Sequence, residues 1–139
     1  MRIAFAHCDV PCGIYNSFPS MMAANTVKKM VEKIYDLKRP TDTDQKEWIT
    51  YQNSLTRMIN TKEEHAQLCK KELLILWTDY FKDEHLKMFP NLHETFWKAA
   101  KLCSRNKQEV SLEAAQLLIA AVHNIGHMWE EAEKAKAKK

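Results

Sequence analysis

From Thr41 to Phe89 the chain runs without a single glycine or proline, and its 139 residues hold only two glycines and four prolines in all. An all-β chain would need a turn roughly every 10 residues, so this scarcity of turn formers points to helices. The apolar spacing agrees. Between Pro19 and Leu37, Val27, Met30, Val31 and Ile34 recur at i, i+3, i+4 and i+7, and the Lys-Arg-Pro run at Lys38 to Pro40 stops the pattern. A second segment carries Trp48, Tyr51, Leu55 and Met58 on one face. Thr61 followed by Glu64 reads as a capping box opening a third segment, unless the two are one bent helix. Ala66, Cys69, Leu73, Leu76, Trp77 and Tyr80 form the clearest stripe, which ends at Phe81 to His85. After Pro90 come Leu92, Phe96, Ala99 and Cys103. Ser111 then precedes Leu112, Ala115, Leu118, Val122, Ile125, Trp129 and Ala132 in near-heptad spacing. The expected fold is all-α, a four-helix bundle, with the lysine-rich tail after Glu133 fraying.

Charge and hydropathy narrow the function classes. A formal charge of +3 with dispersed lysines leaves no basic footprint for nucleic acid. The longest apolar run, Ala114 to Val122, contains Gln116 and is about half of a bilayer span. The opening residues 1–6 are too short for a secretory signal, and polar His7, Cys8 and Asp9 follow at once. The expectation is a soluble, cytoplasmic protein with no nucleic-acid or membrane partner.

The bundle accounts for the chain after Pro19 and for nothing before it. His7 to Tyr15, His-Cys-Asp-Val-Pro-Cys-Gly-Ile-Tyr, holds two of the four cysteines, a histidine, a proline and a glycine. Cys69 and Cys103 sit in helical stripes and read as buried core thiols. Cys8 and Cys12, by contrast, flank a turn set by Pro11 and Gly13, which can fold the backbone into a hook with donors facing inward. Thiolates take soft or borderline metals, imidazole suits Zn, Cu, Fe or Ni, and planar N/S donor sets favour Ni or Cu. The spacing alone does not choose among these metals, nor between a metal and a pair of free or disulfide-linked thiols.

The stretch His7 to Tyr15 resembles the nickel-binding hook of the nickel-dependent superoxide dismutases. Leu76 to His93, Leu-Trp-Thr-Asp-Tyr-Phe at its start, resembles a later segment of the same family, in the same order along the chain. The resemblance implies a mature protein beginning at His7, with residues 1–6 a short pro-segment removed by a maturation peptidase cutting before His7. It implies one nickel ion per subunit. His7 would supply its α-amino group and an axial imidazole, Cys8 its thiolate and deprotonated amide nitrogen, and Cys12 a second thiolate. Superoxide would be converted to O2 and H2O2 by Ni(II)/Ni(III) cycling, in a homohexamer. Tyr15 would stand with these ligands in the catalytic set, with Asp9 and Tyr80 nearby and a cis peptide between Val10 and Pro11. The domain plan becomes pro-segment 1–6, nickel hook 7–15, helical bundle 16–135 and frayed basic tail 136–139. The alternative is a nickel or copper trafficking module using the same hook.

Some positions depart from the family pattern. Where members hold the axial imidazole with a glutamate and an arginine, this chain has Ala23 and His65. His65 could take the arginine's place, or be a solvated helix residue. His123 and His127 stand at metal-ligand spacing, but without the Glu of H-E-x-x-H or a third ligand, so no second metal site is expected there. His85 and His93 are expected to serve structure or subunit contacts.

Overall fold

The computed structural model describes residues 14–138. The pro-segment 1–6, the ligand candidates His7, Cys8 and Cys12, and Asp9, Val10 and Pro11 lie outside the described residues. Among the described residues are four α-helices and no strand: α1 (Phe18–Asp36), α2 (Gln45–Ile75), α3 (Leu92–Gln108) and α4 (Leu112–Lys136). Helix α1 packs against α2 and α4, and α3 against the same two, so the four close a ring around one core. The all-α bundle expected from periodicity is the fold observed.

Local chemistry starts these helices where the chain turns. The Asp44 carboxylate accepts from the Lys46 amide (2.8 Å) at the head of α2. Ser111 Oγ accepts from the Ala114 amide (3.1 Å) at the head of α4. Each satisfies an amide that has no partner within the first turn. Val27 and Val31 of α1, Leu73 of α2, Phe96 of α3, and Leu118, Val122 and Ile125 of α4 are wholly buried. Side chains of this size contribute about 1.5–3 kcal/mol each on full burial.

Two expectations about helix ends are corrected. Thr61 and Glu64 do not open a helix, because α2 is continuous through them and the Thr61 carbonyl accepts from His65 within the same helix. A Thr-x-x-Glu spacing also fits a helix interior, and with no glycine or proline nearby nothing interrupts the backbone hydrogen bonds. At the other end, helical structure continues to Lys136, where the Ala137 amide donates to the Glu133 carbonyl (3.1 Å).

Helix α2 is longer than the bundle needs. Its first buried residue is Lys62, and none of residues 45–61 is buried. Lys62 Nζ lies on the Asn106 carbonyl and 3.0 Å from that of Lys107, at the end of α3. The preceding 45–61 segment, about 25 Å at 1.5 Å per residue, therefore extends past the α3–α4 turn. Its stripe of Trp48, Tyr51, Leu55 and Met58 is half-buried. Arg39 covers the Trp48 ring at 5.2 Å, and the indole donates to the Asp42 carbonyl (2.8 Å).

The far end of α2 changes geometry. Leu76–Tyr80 widens into a π-helical turn, closed by the Phe81 amide donating to the Leu76 carbonyl (3.0 Å). A 3₁₀ turn, Asp83–Lys87, follows before α3. Such turns shift side-chain register by one residue and are frequent at functional sites.

Candidate metal centre

The chain enters α1 through Ile14 to Ser17, the part of the hook region that lies within the described residues. Asn16 Oδ1 accepts from the Phe18 amide (2.9 Å), and Ser17 accepts at its carbonyl from Ser20 Oγ (2.9 Å). Ser17 also lies against α4: its Oγ is 3.2 Å from where a Cβ on Gly126 would stand. A Cβ at 126 would press on the Ser17 side chain and require it to shift by a few tenths of an ångström. The start of α1 and the last turns of α4 are thereby held side by side.

The Tyr15 and Tyr80 rings meet edge to face, with centroids 6.0 Å apart and planes at 64°. This contact joins the hook region to the π-helical turn, two segments far apart in sequence. In the chain Tyr15 stands three residues beyond Cys12. Around Tyr80 stand Phe81 (4.9 Å), His85 (5.8 Å, nearly parallel) and Trp129 (6.5 Å), as ring-centroid distances. Lys136 Nζ lies over the same ring at 4.6 Å. The Tyr80 hydroxyl donates to Glu133 Oε1 at 2.5 Å, and Lys136 Nζ donates to the same oxygen at 2.9 Å. Burial first, and the neighbouring carboxylate second, push the Tyr80 phenol well above its ordinary range. The Tyr80 and Lys136 hydrogen bonds hold Glu133 below the ordinary carboxylate range.

The remaining candidates fall into place by their partners. His85 is buried, and its Nδ1 accepts from the Lys82 amide (2.9 Å), which makes it a structural residue of the 3₁₀ turn. His93 Nδ1 accepts from Trp77 Nε1 (2.9 Å), and Trp77 stacks on Phe96 at 5.8 Å. His65 Nδ1 donates to the Thr61 carbonyl at 2.9 Å. Ala23 is buried in the core. Cys69 and Cys103 are both fully buried, as read from their stripes. The Cys69 thiol is pushed up by its hydrogen bond with Cys103 and by burial, so it stays protonated. Among the described residues no three His, Cys, Asp or Glu side chains gather where they could hold one metal ion. No helix among them is long and apolar enough to cross a membrane.

Sequence reasoning missed Glu133 and the buried Lys62. Glu133 lies 53 residues from Tyr80 in the chain, and no local pattern links an acid near a helix end to a distant phenol. A lysine among polar neighbours in the chain carries no mark of burial.

The comparisons agree with the arrangement. A model of the nickel-containing superoxide dismutase family matches residues 2–133. The nickel superoxide dismutase of Streptomyces coelicolor is 30% identical over 130 residues, covering 94% of this chain and 90% of the relative. That of Streptomyces seoulensis is 32% identical over the same shares. A solved structure of native nickel superoxide dismutase superposes with a TM-score of 0.77 at 29% identity, over 92% of this chain and 99% of that one. With a family match across nearly its whole length and a bundle that superposes on a member's, the chain belongs to the nickel-containing superoxide dismutases.

Proposed function

We propose that this chain dismutates superoxide to O2 and H2O2 with one nickel ion held by His7, Cys8 and Cys12. The observation that carries the reading is the Tyr15–Tyr80 contact, which ties the segment bearing these donors to the aromatic cluster of the π-helical turn. The donor set suits the ion: two thiols, an imidazole, an α-amino group and a backbone amide are strong donors that favour nickel's higher valence. When bound, the nickel supplies one-electron exchange with superoxide.

The protein's own groups hold, orient and exclude. The thiolates of Cys8 and Cys12, the α-amino and imidazole nitrogens of His7, and the Cys8 amide nitrogen are the holding groups. Tyr15, set edge-on against Tyr80, fixes the end of the hook. Tyr80 keeps its proton and donates it to Glu133, so toward the hook its oxygen offers a lone pair rather than a proton. The ring cluster of Phe81, His85 and Trp129 keeps water away from that side of Tyr80. His65, whose Nδ1 is taken by the Thr61 carbonyl, would partner the His7 imidazole through Nε2.

An α-amino group titrates near ~8 and donates well once deprotonated, whereas a peptide nitrogen holds its proton far more tightly. The ligand set thus requires His7 to be the first residue, with a peptidase cutting after Ala6. The working form is a cytoplasmic homohexamer, since ligands carried on so short a segment need a supporting surface to hold them in place. The test compares the full chain with protein produced to begin at His7, by intact mass, elemental analysis and superoxide removal. Tightly held nickel and activity should appear together, and only in the trimmed form. Full activity in a chain still carrying residues 1–6 overturns the ligand set, and nickel bound and released without turnover indicates a carrier instead.

A further inference from the structure

The groove between the start of α1 and the end of α4 carries a second pair of metal-binding side chains. His123, Gly126, His127 and Glu130 share one face of α4, at i, i+3, i+4 and i+7. The His123 and His127 rings lie 4.4 Å apart between centroids, at 81° to each other. Both are exposed, and His127 Nδ1 is 3.7 Å from Glu130 Oε2. The two histidines line a groove of about 410 Å³ whose other wall is Asn16, Ser17 and Phe18. In the chain Asn16, on the groove wall, directly follows the candidate ligand segment 7–15.

We propose that His123 and His127 form a weak, exchangeable two-imidazole site for divalent nickel, from which the hook is loaded. Two imidazoles one helical turn apart converge on a single ion, and imidazole is a good nitrogen donor for nickel. Among the described residues no group of three His, Cys, Asp or Glu side chains gathers there, so water fills the remaining positions and the ion exchanges readily. Thiolates and an α-amine bind nickel more strongly, so transfer runs downhill from groove to hook. The Glu130 carboxylate adds negative charge beside His127 and favours an approaching cation. The loading role rests on the reading of His7, Cys8 and Cys12 as the nickel hook, whereas the histidine site stands without it.

The test uses the full chain with Cys8→Ser and Cys12→Ser, dialysed against nickel chloride. This variant should retain about one weakly held nickel per chain, released by imidazole, and should lose it when His123→Ala and His127→Ala are added. No nickel in the first variant, or equal nickel in both, overturns the site. In protein beginning at His7, entry of nickel into the hook is followed by thiolate-to-nickel absorption at limiting nickel. His127→Ala should slow that entry several-fold and leave the final nickel content unchanged, while an unchanged rate overturns the loading role. Failure of the hook reading looks different: protein beginning at His7 and its Cys8→Ser, Cys12→Ser variant would then bind the same amount of nickel. Circular dichroism of each alanine variant checks that α4 is intact.

Discussion

Tyr80, at the end of the π-helical turn, donates its hydroxyl proton to Glu133, in the last turns of the final helix, across 2.5 Å. The bond ties the C-terminal end of the bundle to the segment that Tyr15 touches. Glu133→Gln removes the charge that helps hold the phenol's proton, so Tyr80 should ionise at lower pH than in the unmutated protein while burial still keeps it above the ordinary tyrosine value. Absorbance titration of phenolate, with Tyr80→Phe as the subtraction, reads this directly. Stability should respond in step. A carboxylate lowered by folding stabilises above its unfolded pKa, near 4.5, and that contribution is lost as pH falls through the folded value. Denaturation midpoints should therefore fall more steeply on acidification in the unmutated protein than in Glu133→Gln. Parallel acid profiles would show that the bond is not made.

Lys62 is a buried cation that closes the carboxyl end of α3, with its ammonium on the Asn106 and Lys107 carbonyls. Asn106 in turn donates to the Leu102 and Ala114 carbonyls, both at 2.9 Å, and fastens α3 to α4. Lys62→Met keeps the stem's volume and removes the donor, and should cost about 1–3 kcal/mol in urea denaturation. Burial holds the Lys62 pKa below its ordinary 10.5, so the fold penalises its charge and the penalty eases as pH rises through the folded value. The deficit of Lys62→Met should accordingly be insensitive to acidification below neutrality. A variant as stable as the unmutated protein would mean that the carbonyls find other donors.

The two core cysteines should matter for packing and not for chemistry. Cys69→Ala and Cys103→Ala should each cost about 1 kcal/mol, read from thermal or urea midpoints, and leave nickel content and activity per folded chain unchanged. Because the Cys69 thiol is buried and held protonated, iodoacetamide should modify it only in denaturant. Loss of nickel in Cys69→Ala would assign the ligands to the wrong pair.

The converse holds for the hook. Cys8→Ser or Cys12→Ser, in protein beginning at His7, should abolish tightly held nickel and superoxide removal together, since a hydroxyl stays protonated and is the weaker donor. Elemental analysis after gel filtration measures the first and a superoxide assay the second. Retention of both in either variant would sink the ligand assignment.

Assembly is the remaining expectation. Light scattering on nickel-loaded protein should give the mass of six chains, and dilution that dissociates it should release nickel. A fully active monomer would mean that the hook needs no neighbouring subunit.

Much of this protein was legible one helix at a time. Val27 with Val31, Phe96 with Ala99 and Cys103, and Leu118 with Val122 and Ile125 were placed in the core by spacing alone, because burial on a helix follows its 3.6-residue period. The motif from His7 to Cys12 pointed to the family, and its residues lie outside the described ones. Contacts between elements were not legible. Thr61 and Glu64 have the spacing of a helix start and sit in the middle of one, because a cap is defined by where the backbone ends and not by the residues that suit it. The long overhang of α2 depends on where its neighbours stop, and Lys62 is buried because α3 ends beside it. The sequence by itself determined four amphipathic helices, a sulfur-rich hook and the family to which they point. Only the tertiary structure decided that Tyr80 meets Tyr15 and Glu133, and that His123 and His127 share a groove with the hook's tether, because such pairs are made by packing between helices and leave no periodicity in the chain.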